Sequence, residues 1–519
     1  MKDKTKLAAA DSKSREVNSA ASPSPNSPLP ASSLLFLAIW LILLLAGRSA
    51  MFNDPGTFWH VAAGHKMLAA GQLIRTDSFS FTVAGRPWID DQWLAEIGMA
   101  AVHRAAGWDG LLLLTATLLA GVYAWIGARL LRGGLHFLPA MLLLAITMLA
   151  GSPQFHIRPL VVTIVLLGVT FALLVDVEAG TRRFCRLWLL VPVFIFWANI
   201  HGGVLAGLGT VALWLAGSCI VDRSLKCFVK TLLLLAALAL TTLCNPYGVH
   251  LHWEWWETLA MPLPSLIVEH GRLNPLEPIG AAAVAILAVY LVTLFGVFPK
   301  RPRVVWLLPL VWFALALLRV RNAPLFAITA AIAMIDILPH SRVGAWLVRR
   351  DLLFAPRPPA GWRAIVLPAI FVATAVAVQF AGIQMPLIGR DWAKFPTSRW
   401  PMELLPSLDV IAEDVKSADL DAPERRIFND MNFGGFLIYF EPDLRVFIDD
   451  RCSVYGGRFL TDYDSARCDD PAQIERWRRQ YGFRHALVIA DGRFDRYLAG
   501  SADWELVART SAAALYRHR

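Results

Sequence analysis

The residues able to do chemistry fall in a few short tracts. The first is Asn53-Asp54-Pro55-Gly56-Thr57-Phe58-Trp59-His60, followed by Trp88-Ile89-Asp90-Asp91-Gln92-Trp93 and then Glu96. Later come His156-Ile157-Arg158-Pro159, the neighbours Asn199 and His201, the acids Glu254, Glu257 and Glu269, and the close cations Arg319 and Arg321. Acids and cations divided in this way suit one kind of reaction. A carboxylate can remove a proton from an acceptor hydroxyl. Guanidinium and imidazole groups can hold an anionic leaving group such as a phosphate. On this reading Asp54, Asp90 and Asp91 are the candidate catalytic residues. His60, Glu96, His156, Arg158, Asn199, His201, Glu269, Arg319 and Arg321 are the candidate substrate ligands.

Plainer readings stand beside each of these. Asp54 followed by Pro55 makes a good N-cap and first-turn pair for a helix over roughly Gly56 to Ala70. Asp90 or Asp91 can cap a helix running toward Ala106, and a helix N-terminus also keeps a carboxylate ionised. Trp59, Trp88, Trp93 and Trp108 read as an interfacial aromatic belt, and Arg48 and Arg104 as snorkelling anchors. Arg319 and Arg321 fit that role less well, because they break the local charge bias within a very short connection.

The elements that must position these groups are membrane helices. The 519 residues are 56% hydrophobic and 17% charged, where an ordinary soluble domain carries about 25% charge. A bilayer core of about 30 Å needs roughly 20 apolar residues as helix. Such blocks place about eleven spans near 33–50, 110–128, 134–151, 159–177, 187–200, 203–221, 229–245, 279–298, 304–318, 323–338 and 362–384. The fifth and sixth are short, and Asn199-Ile200-His201-Gly202-Gly203 joins them, which suggests a broken or re-entrant pair. The net charge of +9 is spread as a positive-inside pattern and not as a phosphate-binding stripe, which excludes a nucleic-acid partner. With the N-terminus inside, every inner loop is basic, from Arg129 and Arg132 to Arg342 and Arg349.

The reading is therefore a polytopic α-helical membrane protein of the cytoplasmic (inner) membrane. Residues 1–32 form a disordered cytoplasmic tail, 33–384 a transmembrane core with a long outer loop at 48–109, and 385–519 a small extracytoplasmic α/β domain. Strand-like runs at Arg426–Asp430, Val446–Asp450 and His485–Ala490 alternate with helix-like stretches such as Pro471–Tyr481. Cys452 and Cys468 lie in that domain, where an oxidising compartment would let them pair; unpaired small hydrophobes are the alternative.

At this point the tracts resemble a known family. Asp54-Pro55, Trp59-His60, Asp77-Ser78-Phe79-Ser80, Gly85-Arg86-Pro87-Trp88, Gln92-Trp93-Leu94 and Glu96 look like the first-loop pattern of the GT-C superfamily of integral-membrane glycosyltransferases. The likeness is to its bacterial protein-mannosyltransferase-like and galacturonosyltransferase-like branch. His156-Ile157-Arg158-Pro159 and Trp197-Ala198-Asn199-Ile200-His201-Gly202-Gly203 look like its later membrane motifs. Phe428-Asn429-Asp430, Gly434-Gly435 and Val446-Phe447-Ile448-Asp449-Asp450-Arg451 resemble the outer domain that follows.

The resemblance implies a GT-C-like membrane core and an inverting transfer of a sugar from a polyprenyl-phosphate donor to a hydroxyl on a lipid, glycan or protein. Asp54 matches the family's catalytic base, and Asp90 or Asp91 its second acidic position. A divalent metal is left open, although Asn53-Asp54 stands where a compact Asp-x-Asp or Glu-x-Asp pair would. The alternative is a non-catalytic membrane scaffold whose outer domain binds a glycan or a partner protein. That reading predicts that Asp54 and the cations point to separate surfaces. A transporter would need inverted repeats and a polar site at the membrane midplane, and neither is visible.

Overall fold

The structure, a computed structural model, describes residues 31–261, 271–349, 362–383, 391–419 and 422–519. Most of the expected N-terminal tail and the candidate ligand Glu269 lie outside the described residues. Every expected span falls on a helix: Ala31–Leu45, Trp93–Arg132, Phe137–Gly151, Leu160–Glu178, Leu190–Ala198, Val204–Val221, Leu225–Thr241, Pro278–Phe295, Leu308–Leu318, Ala323–Ile337 and Arg363–Phe380. Among the described residues, six helices are long and apolar enough to cross a membrane by length and composition. Ala323–Ile337 is the centre of the bundle and packs against Phe137–Gly151 and Leu160–Glu178. Its alanines at 323, 327, 330, 331 and 333 are fully buried, and small residues let helix backbones approach closely.

The expected break between the fifth and sixth spans is a closed turn. Leu190–Ala198 is short because Phe184–Leu189, ahead of it, winds as a 3₁₀ helix. Within the turn, the Gly203 N–H donates to His201 Nδ1 at 2.8 Å.

The first long loop folds as two helices. Gly56–Ala70 begins where Asp54 Oδ1 accepts the Gly56 N–H at 2.7 Å, and ends at Gly71 in the left-handed region. Asp90 Oδ1 accepts the Gln92 N–H at 3.0 Å, just ahead of the helix that starts at Trp93. That helix bends at Ala106–Gly107, where Gly107 has φ 61°, and then runs on to Arg132.

Beyond the bundle, five strands form one mixed sheet. They are β1 (Arg426–Asn429), β2 (Arg445–Val446), β3 (His485–Ile489), β4 (Trp504–Arg509) and β5 (Ala513–His518), in the order β2-β1-β3-β5-β4. β1 runs parallel to β2 and β3, with Ile427 opposite both Val446 and His485. β5 runs antiparallel to β3 and β4. The expected strand Val446–Asp450 keeps only Val446, because the chain leaves the sheet at Phe447 and turns toward the bundle. β4 and β5 were not expected. β4 is an edge strand exposed over most of its length, so its sequence lacks a clean alternation of apolar and polar residues.

Loop and sheet are joined directly. Ser80 pairs with Val446, with Phe81 N–H donating to Val446 O at 3.1 Å and Val446 N–H to Phe79 O at 3.2 Å. The loop thus covers an exposed sheet edge, which otherwise invites wrong pairing. Phe58, Trp59, Met67 and Trp88 share one apolar core with Phe428, Phe436, Leu437 and Phe447. The expectation of an aromatic belt fails here: Trp59 and Trp88 are only 6% and 5% exposed, and they face protein. Trp93 hydrogen-bonds Asn199, and Trp108 packs edge-on against Phe52, Phe58, His103 and Tyr439. Cys452 and Cys468 are both free thiols, at opposite ends of the helices Cys452–Tyr455 and Gly457–Cys468.

The seam leaves a glycine no room to change. A Cβ on Gly435 would sit 2.2 Å from the Pro55 carbonyl oxygen. Overpacking of that kind costs about 1–3 kcal/mol. Gly435→Ala should lower the thermal midpoint of the detergent-solubilised protein. Gly98→Ala, where a Cβ meets nothing within 4 Å, should not. Equal midpoints for the two variants would show that the seam is not tight.

Candidate active site

Where the loop, the helix ends and the C-terminal domain meet, they enclose a cavity of about 910 Å³. The first loop contributes Asp54, Trp59, His60, Asp90 and Asp91. The bundle contributes His156, Arg158, His201, Arg319 and Arg321, together with Leu160, Leu205, Trp312, Leu315, Leu318 and Leu325. Glu254 and Trp255 come from the helix His250–Ala260, and Arg399, Asn432, Asp450, Arg451, Cys452 and Ser453 from the C-terminal part.

Asp54 is 5% exposed, and its second oxygen, Oδ2, accepts from Arg158 Nη1 at 2.6 Å. Burial pushes this carboxyl up. Arg158, then His156 and His60, and the Gly56 N–H pull harder and leave it below its ordinary range. Asp54 is therefore ionised at neutral pH. His156 donates from Nδ1 to the Ala50 carbonyl at 3.1 Å. Burial, followed by the nearby Arg158 charge, pushes His60 down to about 3, against the pull of Asp54. It is a neutral imidazole with Nδ1 2.9 Å from Glu96 Oε1.

Asp90 is pushed up to about 6, chiefly by burial, with the Glu96 and Gln92 contacts working the other way. Asp91 is also raised by burial, and its Oδ2 accepts from Trp255 Nε1 at 3.1 Å. His201 lies in the turn outside the helices. Burial first, then Arg321 and Arg158, hold it well below its ordinary range. Because its Nδ1 accepts the Gly203 N–H, its proton is on Nε2.

Two expected ligands are not at the cavity wall. Glu96 is fully buried behind His60, where it holds the imidazole. Asn199 spends its side chain on the fold: Nδ2 donates to the Ile195 and Cys244 carbonyls, both at 2.8 Å, and Oδ1 accepts from Trp93 at 3.0 Å. Glu269 lies outside the described residues. Glu257, also acidic in this region, accepts from its neighbour Trp253.

Asp450 was not singled out from sequence. Its Oδ1 accepts from Trp59 Nε1 at 2.8 Å. Burial, then the Asp54 and Asp449 charges, push it up to about 8. A buried cluster holds its turn in place. Arg451 Nη2 lies 2.7 Å from Asp77 Oδ1 and 2.6 Å from Asp449 Oδ2. Tyr455 OH donates to the same Asp449 oxygen at 2.8 Å, and the guanidinium lies 4.7 Å from the centre of the Trp88 ring. The available signal was Asp449-Asp450-Arg451, three ionisable residues straight after an apolar strand-like run.

Among the described residues, no three His, Cys, Asp or Glu side chains converge as a metal site needs. Both Asp54 oxygens already face donors, and one Asp450 oxygen faces Trp59.

No protein-family model and no curated protein sequence matches the chain. Solved structures do. The apo structure of ArnT from Cupriavidus metallidurans is 15% identical, with 93% of this chain and 97% of that one covered and a TM-score of 0.50. The apo oligosaccharyltransferase of Archaeoglobus fulgidus is 9% identical over 88% of this chain and 69% of that one, with a TM-score of 0.54. Arabinofuranosyltransferase AftD from Mycobacteria is 13% identical, with 94% of this chain but only 41% of that one covered, and a TM-score of 0.51. The chain is a polytopic helical membrane protein with a small C-terminal sheet. It shares its fold with these three proteins.

Two outcomes follow for the cluster around Asp450. Removing Arg451 strands two buried carboxylates, and breaking a buried pair costs about 3–5 kcal/mol. Arg451→Met should sharply reduce the folded yield in detergent, and a wild-type yield would contradict this account. The second outcome concerns pH. A carboxyl raised to about 8 in the folded chain favours folding fully at acid pH, and that contribution is lost as pH rises from about 4 through about 8. Asp450→Asn cannot ionise, so its thermal midpoint relative to wild type should climb over that window. A flat difference would mean that Asp450 is not buried in this way.

Proposed function

We propose that the chain is an inverting glycosyltransferase that moves a sugar from a polyprenyl phosphate to a hydroxyl of a lipid, glycan or protein. It works at the extracytoplasmic face of the inner membrane, with the N-terminus in the cytosol and the C-terminal domain outside. The observation that carries this reading is the Asp54–Arg158 pair in a cavity that Arg319, Arg321 and His201 also line. A scaffold would not need acids and cations from such distant segments in one hollow. The apolar lining from Leu160, Leu205, Leu315, Leu318 and Leu325 suits the lipid end of an amphipathic donor. ArnT, the oligosaccharyltransferase and the arabinofuranosyltransferase share the fold, and the last two are sugar transferases by name.

The proposed division of labour follows the charges. Arg158, Arg319, Arg321 and His201 hold the donor phosphate. Asp54 takes the proton from the acceptor hydroxyl. Asp90 and Asp91 orient the acceptor, and Glu96 acts one step back, through His60. Arg158 links the two halves. A donor phosphate competes with Asp54 for its guanidinium and so weakens the contact that lowers the basicity of Asp54. The base then strengthens when the leaving group is in place.

General-base assistance is worth roughly 10²- to 10⁴-fold. Asp54→Asn should insert into membranes normally but consume a polyprenyl-phosphate sugar more slowly by that factor. Purified protein and a panel of such donors provide the assay. An Asn variant at the full wild-type rate would remove Asp54 from the mechanism.

A further inference from the structure

Asp450 and Asp54 both border the space beside Gly56. A Cβ on Gly56 would lie 2.8 Å from Asp54 Oδ1, 3.1 Å from Asp450 Oδ2 and 3.5 Å from the His60 ring. Gly56 has no side chain, so an oxygen of each carboxyl borders that one space, and both residues line the cavity. Asp450 Oδ1 is already taken by the Trp59 N–H, which leaves Oδ2 as the oxygen that carries a proton. The charged groups around it are Asp54 and Arg158 from the loop and bundle, and Asp449 and Arg451 from its own turn, with neutral His60 alongside.

We propose that Asp450 is a second catalytic residue, whose carboxyl O–H donates a hydrogen bond to the acceptor hydroxyl oxygen while Asp54 takes that hydroxyl's proton. This rests on the transfer reading above. A hydroxyl has one hydrogen and two lone pairs. With the hydrogen on Asp54 and one lone pair on Asp450, the remaining lone pair has a single direction, toward the sugar's anomeric carbon. Fixing the attack direction is a main source of catalytic advantage. As the acceptor oxygen bonds to the anomeric carbon, the bond from that carbon to the phosphate oxygen breaks and its electron pair leaves with the phosphate. The acceptor proton goes to Asp54, and Asp450 keeps its own. Burial, then the charges of Asp54 and Asp449, keep Asp450 protonated at neutral pH.

On this account the C-terminal domain supplies part of the chemistry. The Asp449–Arg451–Asp77 cluster sets the position of Asp450, and the first loop sets that of Asp54.

The test uses the purified full chain, undecaprenyl-phosphate pentoses and hexoses as donors, and a total membrane lipid extract as acceptor. Donor consumption is measured against pH. The wild-type rate should fall as pH rises through about 8, where Asp450 loses its proton. Asp450→Asn keeps an N–H donor and an oxygen for Trp59. It should stay within about tenfold of wild type and lose that alkaline fall. Asp450→Ala should lower kcat by about 10²-fold with the donor KM unchanged, the scale of loss when an attacking group is misplaced. A wild-type kcat in Asp450→Ala, or an alkaline fall that persists in Asp450→Asn, would overturn the role of Asp450 alone. A wild-type chain that consumes no donor would overturn the transfer reading itself, and the role of Asp450 with it.

Discussion

A carboxylate removed from water needs a partner, and Asp54 finds its partner in Arg158, 104 positions along the chain. The other features of the site depend on that contact. It brings the first long loop against the start of the helix Leu160–Glu178, and it keeps Asp54 charged where burial alone would neutralise it. A hydrogen-bonded ion pair can hold at depth. The same pair sets acid and cation side by side in one hollow.

Three devices keep the pair in place. The Asp54 side chain is fixed by the helix it caps. His60, one turn along that helix, is held by Glu96 from the next helix. The C-terminal sheet takes residues of the loop as its own edge at Ser80, which ties loop and domain together. Arg451 then ties Asp77 of the loop to Asp449 of the domain in a buried cluster. A domain that looks appended in the sequence is thereby built into the wall of the cavity.

Much of this was legible in the residues. The apolar blocks located the helices because a bilayer demands them. The turn chemistry of Asp54-Pro55 and Asp90-Asp91 located the starts of the two loop helices. What was not legible shares one cause: dependence on a partner far away in sequence. Asn199 reads as a polar ligand until Trp93 and Cys244 claim its side chain. Glu96 reads as a site acid until His60 covers it. Trp59 and Trp88 read as a membrane belt until the C-terminal domain packs over them. Asp450 lay in a run that reads as a strand to Asp450, but the strand ends at Val446 and an Asp450 oxygen borders the space beside Gly56, as Asp54 does.

The central claim is that a lipid-linked phosphate enters this cavity and shares Arg158 with Asp54. The most direct measurement is an experimental structure of the chain with a polyprenyl phosphate bound. The account predicts the phosphate within hydrogen-bond reach of Arg158 and of at least one of Arg319 and Arg321, with the Asp54–Arg158 contact lengthened from its 2.6 Å. A phosphate bound elsewhere on the bundle, with that contact intact, would contradict it.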